Sequence, residues 1–94
     1  MPYMLVRHKV EDYERWKPGF DDHQAVRKES GGKGAVLFRN ADDPNETVIL
    51  LEWGDLEDAR RFARSDDLRE TMQRLGVAEQ PDIFFLEEVE RLPA

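Results

Sequence analysis

The 94-residue sequence contains no cysteine, and this absence excludes three kinds of chemistry. The chain forms no disulfide, offers no thiolate to a metal ion and has no cysteine nucleophile. We therefore expect a cytoplasmic protein that depends on a hydrophobic core. A hydrophobic content of 39%, with nine aromatic residues, is typical of a folded domain.

Long apolar runs and a concentration of positive charge are also missing. Arg7, His8 and Lys9 interrupt the first segment, and no run approaches the ~20 apolar residues of a membrane span. The net charge is -7, and the basic residues between positions 60 and 74 alternate with acidic ones. A protein with this charge repels phosphate groups. We expect neither nucleic-acid binding nor membrane binding.

Residue periodicity predicts four strands and two interrupted helices. Alternation predicts the first strand at Tyr3–Val10, with Met4, Val6, His8 and Val10 on one face. A helix is predicted from Asp12, with a kink at Pro18 and an end at Gly31 and Gly32. The remaining predicted elements are strands Gly34–Arg39 and Thr47–Trp53 joined by a turn at Ala41–Glu46, a helix from Asp55 to Gly76 interrupted at Ser65–Asp67, and a strand Ile83–Glu90.

This order of elements predicts a single ferredoxin-like α+β domain over residues 1–94, with β-α-β-β-α-β connectivity. Two helices cover only one face of the four-stranded sheet, yet both faces of several predicted strands carry apolar side chains. The second face then needs another protein surface, and a second copy of the chain is the simplest one. We therefore predict a homodimer formed through the helix-free sheet face, in which both faces of the last strand are covered.

Two segments resemble the antibiotic biosynthesis monooxygenase family of dimeric α+β barrel proteins. One runs from Glu52-Trp53-Gly54-Asp55 through Arg61-Phe62-Ala63-Arg64-Ser65, with an aromatic residue ending the third strand and a serine twelve residues later. The other is the helix start at Asp12–Trp16. The family includes cofactor-free quinol monooxygenases, haem-degrading enzymes and isomerases, so the resemblance implies the fold and a small hydrophobic or aromatic ligand.

The resemblance also bears on cofactors. In the haem-degrading branch a histidine nine residues after that tryptophan binds the iron, whereas this sequence has Phe62 there. His8 stands where the same branch has an asparagine on the first strand. We therefore predict no haem and no other cofactor.

Two histidines are the candidates for chemistry. His8 shares a strand face with Met4 and Val6, and an imidazole in that position could act as a general base on a phenol. The alternative is a core histidine that satisfies one acceptor. His23 lies on the predicted helical face of Trp16 and could look toward His8. Two histidines are too few for a metal, so we predict no metal site.

Seven apolar residues could line a ligand pocket or could equally be core: Trp16, Phe20, Phe38, Trp53, Phe62, Met72 and Phe84. We predict substrate contacts from Trp53, Phe62, Trp16, Phe20, His23 and Met72, with Trp53 the first choice. The glycines at positions 31–34 lack Walker spacing, and neither Ser30 nor Ser65 has the context of a nucleophile. The acidic run Glu87, Glu88 and Glu90 is interpreted as solvated surface.

Three functions stay open at this point. The leading prediction is a cofactor-independent monooxygenase that acts on a small aromatic compound, with His8 as the base. The runner-up is a non-catalytic ligand-binding or stress-related module, and the third possibility is a structural dimer with a filled core. Fold alone does not choose among them.

Overall fold

The computed structural model describes residues 1–94 as one antiparallel four-stranded sheet with helices on one face. The strand order is β2-β3-β1-β4, which is the predicted ferredoxin-like arrangement. In chain order the elements are β1 (Pro2–Lys9), α1 (Tyr13–Asp22), α2 (Gln24–Glu29), β2 (Gly32–Asn40), β3 (Asp43–Trp53), α3 (Leu56–Ala63), α4 (Asp66–Arg74) and β4 (Asp82–Glu87).

The alternation of β1 decides which side chains face the helices. Met4, Val6 and His8 are buried, whereas Arg7 and Lys9 point to solvent. Their partners on β3 continue the same rows, with Leu51, Ile49 and Thr47 opposite Met4, Val6 and His8. The core therefore lies between the centre of the sheet and the helices, and His8 is part of it.

Three of the four helices begin at side-chain caps. Asp12 accepts a hydrogen bond from the Glu14 backbone N–H, and Asp55 accepts one from the Glu57 N–H. Ser65 accepts from the Leu68 N–H at the start of α4. Each cap satisfies one of the backbone donors that a helix start leaves unpaired. Ser65 is thus the point at which the second helical region divides, as its pattern predicts.

The first helical region divides at a different place from the one predicted. Helix α1 continues through Pro18, and the break comes at His23. Pro18 is exposed, and so is Glu14, whose carbonyl loses its helical N–H partner. Water can satisfy that carbonyl, so the proline does not interrupt the helix. The kink predicted at Pro18 is wrong.

The turn that joins β2 to β3 is also shorter than its composition suggests. Strand β3 begins at Asp43 and includes Pro44, so only Ala41 and Asp42 separate it from β2. A register irregularity between Arg39 and Asn40 accommodates this start. The predicted six-residue turn at Ala41–Glu46 is therefore wrong, although the hairpin itself is correct.

The helix-free face of the sheet is apolar and open within this chain. Its central row runs across all four strands and consists of Val36, Leu50, Leu5 and Phe84. Phe84 is 54% exposed and Val36 is 50% exposed. The covering predicted for both faces of the last strand is therefore absent from the single chain. None of the helices is long and apolar enough to cross a bilayer.

Candidate functional site

The site is built around His8, which is 5% exposed. Its Nδ1 lies 2.9 Å from Oγ1 of Thr47, its cross-strand partner on β3. Its ring meets the Trp16 indole edge-on, with 5.6 Å between ring centroids. Strand pairing and helix packing therefore fix both the position and the orientation of the imidazole.

The surroundings of Thr47 favour one histidine tautomer. Its Oγ1 is also 3.4 Å from the backbone carbonyl oxygen of His8, which can only accept a hydrogen bond. Both contacts are satisfied when the hydroxyl donates to this carbonyl and accepts from Nδ1–H. In that tautomer Nε2 carries no proton, and it has no partner within the protein.

Burial sets the protonation state of His8. Removal from water disfavours the charged imidazolium and lowers the pKa of His8 from its ordinary value of 6.5, an effect that a backbone hydrogen bond partly opposes. The ring is therefore neutral at pH 7. A neutral imidazole with a free Nε2 can accept a proton from a ligand.

His23 occupies the break between α1 and α2. Its Nε2 lies 2.7 Å from Oδ2 of Asp67, in the first turn of α4, and its ring centroid is 6.0 Å from that of Phe62. His23 is 9% exposed. The contact joins the first helical region to the second and closes one end of the space above the sheet.

These side chains surround a cavity between the sheet and the helices. Its volume is about 50 Å³, and ten of its fourteen lining residues are hydrophobic. Among the predicted site residues, those that line it are His8, Trp16, Phe20, His23, Phe62 and Met72. The structure thus brings together six of the seven side chains selected from the sequence, and both histidines reach the same space.

Trp53, the first choice for ligand contact, does not line the cavity. It is fully buried, and its ring centroid lies 5.2 Å from that of Phe62, which separates it from that space. Its Nε1 has no hydrogen-bond partner. Phe38 and Phe84 lie on the opposite, helix-free face of the sheet. The pocket role considered for these two residues is therefore wrong.

Four residues that line the cavity or contact its histidines were not among the predicted site residues: Thr47, Asp67, Arg27 and Thr71. Thr47 could have been found as the inward-facing polar residue of an otherwise apolar strand. Asp67 could not, because its contact spans 44 residues of sequence. No group of three His, Cys, Asp or Glu side chains has a geometry that could hold a metal ion.

Arg27 stands at the opening of the cavity. Its Nη1 donates to the Phe20 carbonyl oxygen at 2.8 Å, and its guanidinium lies 4.0 Å from the Phe20 ring centroid. Burial lowers the pKa of Arg27 below its ordinary value, with an opposing effect from Asp21, yet an arginine keeps its charge at neutral pH. The cavity therefore has an apolar interior and a cation at its edge.

Comparison with known proteins identifies the class to which this fold and site belong. The profile of the antibiotic biosynthesis monooxygenase family matches residues 6–74. The chain therefore belongs to this family, as the resemblance implied.

Solved structures agree with this assignment at the level of the fold. One is a "putative antibiotic biosynthesis monooxygenase" from Bordetella bronchiseptica, with a TM-score of 0.81 and 17% identity over 95% of this chain and 97% of that one. Another is SnoaB, a cofactor-independent oxygenase from Streptomyces nogalater, with a TM-score of 0.79 and 18% identity over 99% of this chain and 97% of that one.

A curated relative is closer in sequence and much longer. It is a "putative heme-binding protein" of Haloarcula marismortui, 36% identical over 86 residues, which are 88% of this chain. The chain spans only 13% of that protein's length.

In its present form the cavity does not fit a haem, and neither helical region supplies a histidine with a free Nε2 to bind iron. Its volume of about 50 Å³ is below even the ~150 Å³ of an apolar cavity known to hold one benzene ring. Phe62, which has no ligating atom, stands where the haem-degrading branch has its iron ligand. Nε2 of His23, at the break between α1 and α2, already contacts Asp67. We therefore derive no reaction step through haem.

Proposed function

We propose that this protein binds a small aromatic compound between its sheet and helices and oxygenates it without a cofactor, with His8 as general base. The observation that supports this most directly is the free Nε2 of a neutral, buried His8 on the wall of an apolar cavity. The cofactor-independent oxygenase SnoaB has the same fold, which is consistent with this chemistry.

In the proposed reaction, Nε2 of His8 takes the proton of a bound phenol or quinol hydroxyl. The anion of an electron-rich phenol or of a quinol can then transfer electrons to O₂ without a cofactor. A phenol that becomes a quinone consumes one O₂, places one oxygen atom on the ring and releases the other as water. Proton removal and exclusion of bulk water are the two contributions required of the protein.

The substrate must enlarge the cavity to enter it. Its present volume of about 50 Å³ compares with the ~150 Å³ that a single benzene ring occupied in an apolar cavity. Met72, Leu75 and Phe20 are lining side chains that are only partly buried. Methionine is the most adaptable of these, because its unbranched thioether changes rotamer easily. We expect these three to move outward when a ring binds.

We also propose that the protein is a homodimer through the helix-free sheet face. The open apolar row there, with Val36 and Phe84 about half exposed, supports this arrangement. An exposed apolar sheet face of this kind is typical of an interface. The cavity lies on the other side of the sheet, so dimerisation by this face leaves it accessible.

A specific observation favours the second candidate, a ligand-binding module without catalysis. Thr47 satisfies Nδ1 of His8 and Trp16 packs on its ring edge, which is how a structural core histidine is held. In that case the cavity binds an aromatic compound, but His8 transfers no proton. A stress-related module of this fold falls in the same class.

The experiment combines ligand-dependent thermal stability with oxygen uptake. Wild type is screened against phenols, quinols and polyketide-like aromatics, and each compound that raises the melting temperature is tested for protein-dependent O₂ consumption. His8→Ala should bind such a compound but lose about 10²- to 10⁴-fold in rate, the usual contribution of a general base. Lys9→Ala is the matched control, because Lys9 is the next residue of β1, points to solvent and lies outside the cavity, so this variant should retain the rate.

The three possible outcomes distinguish the three candidate functions. Uptake that disappears in His8→Ala but persists in Lys9→Ala supports the oxygenase. Binding without uptake in wild type supports the binding module. If no compound raises the melting temperature, the chain is a structural dimer with a filled core and the proposed function is wrong.

A further inference from the structure

A second depression adjoins the cavity and is positively charged, whereas the cavity is mostly apolar. It has a volume of about 620 Å³ and lies between the α1–α2 region and the start of β2. Its polar lining includes Arg27, Lys28 and Lys33, and no acidic residue is among its nine lining residues. We call it the basic groove.

This concentration of positive charge is unusual for the chain. The sequence has 21 acidic residues against 14 basic ones. Many of the basic residues elsewhere are paired with a carboxylate, as Lys17 is with Asp21 at 2.7 Å. None of the three cations of the basic groove has such a partner. A local positive field on an otherwise negative protein selects anions.

The basic groove and the cavity share part of their walls. Phe20, Arg27 and Leu51 line both of them. Arg27 is held in place at this junction, because it donates to the Phe20 carbonyl and stacks on the Phe20 ring. Only one of its five N–H donors is used in that hydrogen bond, so the others are free for a ligand.

We infer that the ligand of this protein is an aromatic carboxylate, with its ring in the cavity and its carboxylate in the basic groove against Arg27. The planar guanidinium pairs with a carboxylate through two parallel hydrogen bonds, and Lys28 and Lys33 add attraction at longer range. This inference rests on the proposed function, since it requires an aromatic ring beside His8. It adds the chemical class of the substrate.

The test compares two probes of the same shape, 2,5-dihydroxyphenylacetate and its primary amide, which has no charge. Binding is measured without oxygen by calorimetry, at low and high salt. Wild type should bind the carboxylate at least about tenfold more tightly than the amide at low salt. The preference should shrink as salt screens Lys28 and Lys33.

Three variants show which residues cause the preference for the carboxylate. Arg27→Gln should lower affinity for the carboxylate at least about tenfold more than affinity for the amide, and so remove the preference. The double variant Lys28→Gln/Lys33→Gln, in exposed residues that should not disturb folding, should reduce the preference and its salt dependence. Arg15→Gln removes an equal charge from an exposed position of α1 outside both spaces and should bind like wild type.

The two proposals fail in different ways. Equal affinity of wild type for the carboxylate and the amide overturns the inference but leaves an aromatic-binding cavity. A preference that survives both in Arg27→Gln and in the double variant overturns it as well. If neither probe binds, nor any uncharged phenol, the proposed function fails and the inference fails with it.

Discussion

Oγ1 of Thr47 lies 2.9 Å from Nδ1 of His8, and the two buried side chains are cross-strand partners. Thr47→Val keeps the shape but removes the hydroxyl, which leaves a buried imidazole nitrogen unpaired. We predict a loss of about 1–3 kcal/mol in the free energy of unfolding, measured by urea denaturation. Thr47→Ser keeps the hydroxyl and should lose less. A loss in Thr47→Val no larger than that in Thr47→Ser would contradict the prediction, because the hydrogen bond would then contribute no more than the methyl group.

The stability of the protein should depend on the titration of His8. Because burial lowers its pKa in the folded state below 6.5, the unfolded chain takes up the proton first as the pH falls. The contribution to stability is complete above pH 6.5 and decreases as the pH falls toward the folded-state pKa. Urea midpoints at pH 7.5 and 5.5 should therefore differ more for wild type than for His8→Gln. The same difference in both proteins would contradict this prediction.

The contact between His23 and Asp67 joins the two helical regions, so Asp67→Asn should loosen it. The side chain of Asp67 is 58% exposed, and we expect a cost of only about 0.5–1 kcal/mol. Asp66→Asn is the matched control in the same helical turn, since Asp66 contacts only the exposed Arg69 among basic groups. Chemical denaturation of both variants tests the prediction, which is wrong if Asp66→Asn costs as much.

Gly19 permits the close approach of α1 to Leu75, beyond the end of α4. A Cβ at Gly19 would overlap Cδ2 of Leu75, which would have to move, and Leu75 lines the cavity. We predict that Gly19→Ala costs about 1–3 kcal/mol, although alanine is intrinsically the better helix former. Gly34→Ala, where a Cβ meets nothing within 4 Å, is the control. Thermal unfolding of both measures the difference, and a stabilised Gly19→Ala would contradict the packing described.

The proposed dimer should dissociate when a charge enters the helix-free face. Phe84→Asp places a carboxylate at the β4 end of that apolar row, where burial without a partner in the dimer costs several kcal/mol. Sedimentation analysis should show a dimeric wild type and a monomeric variant. Val89→Asp changes a residue that is 94% exposed beyond β4 and should remain dimeric. A monomeric wild type would contradict the proposal.

Local patterns were sufficient for the order of the elements and for six of the fourteen residues that line the cavity. Two-residue alternation placed His8 among the buried residues of β1, and helical spacing placed Trp16, Phe20 and His23 on one face. These patterns work because a strand or helix converts sequence spacing directly into direction. The prediction of a kink at Pro18 was wrong. Whether a proline interrupts a helix depends on which group satisfies the carbonyl that loses its N–H partner, and local spacing does not show this.

Trp53 shows a different limit. Its sequence context correctly placed it at the end of β3, but a strand pattern does not tell which buried aromatic borders a cavity and which lies behind another side chain. Phe62 stands between Trp53 and the cavity because α3 packs directly over the end of the sheet. Which of the two aromatic residues borders the cavity therefore depends on where α3 lies on the sheet.

By itself, the sequence determined the order of strands and helices, the inward face of β1 and the helix starts at Asp12, Asp55 and Ser65, because each depends on residues close together in the chain. Only the tertiary structure decided that Thr47 orients His8 and that Asp67 meets His23. It also decided that Arg27 stands between an apolar cavity and a basic groove. These contacts join side chains from separate elements, and packing of the helices on the sheet brings them together.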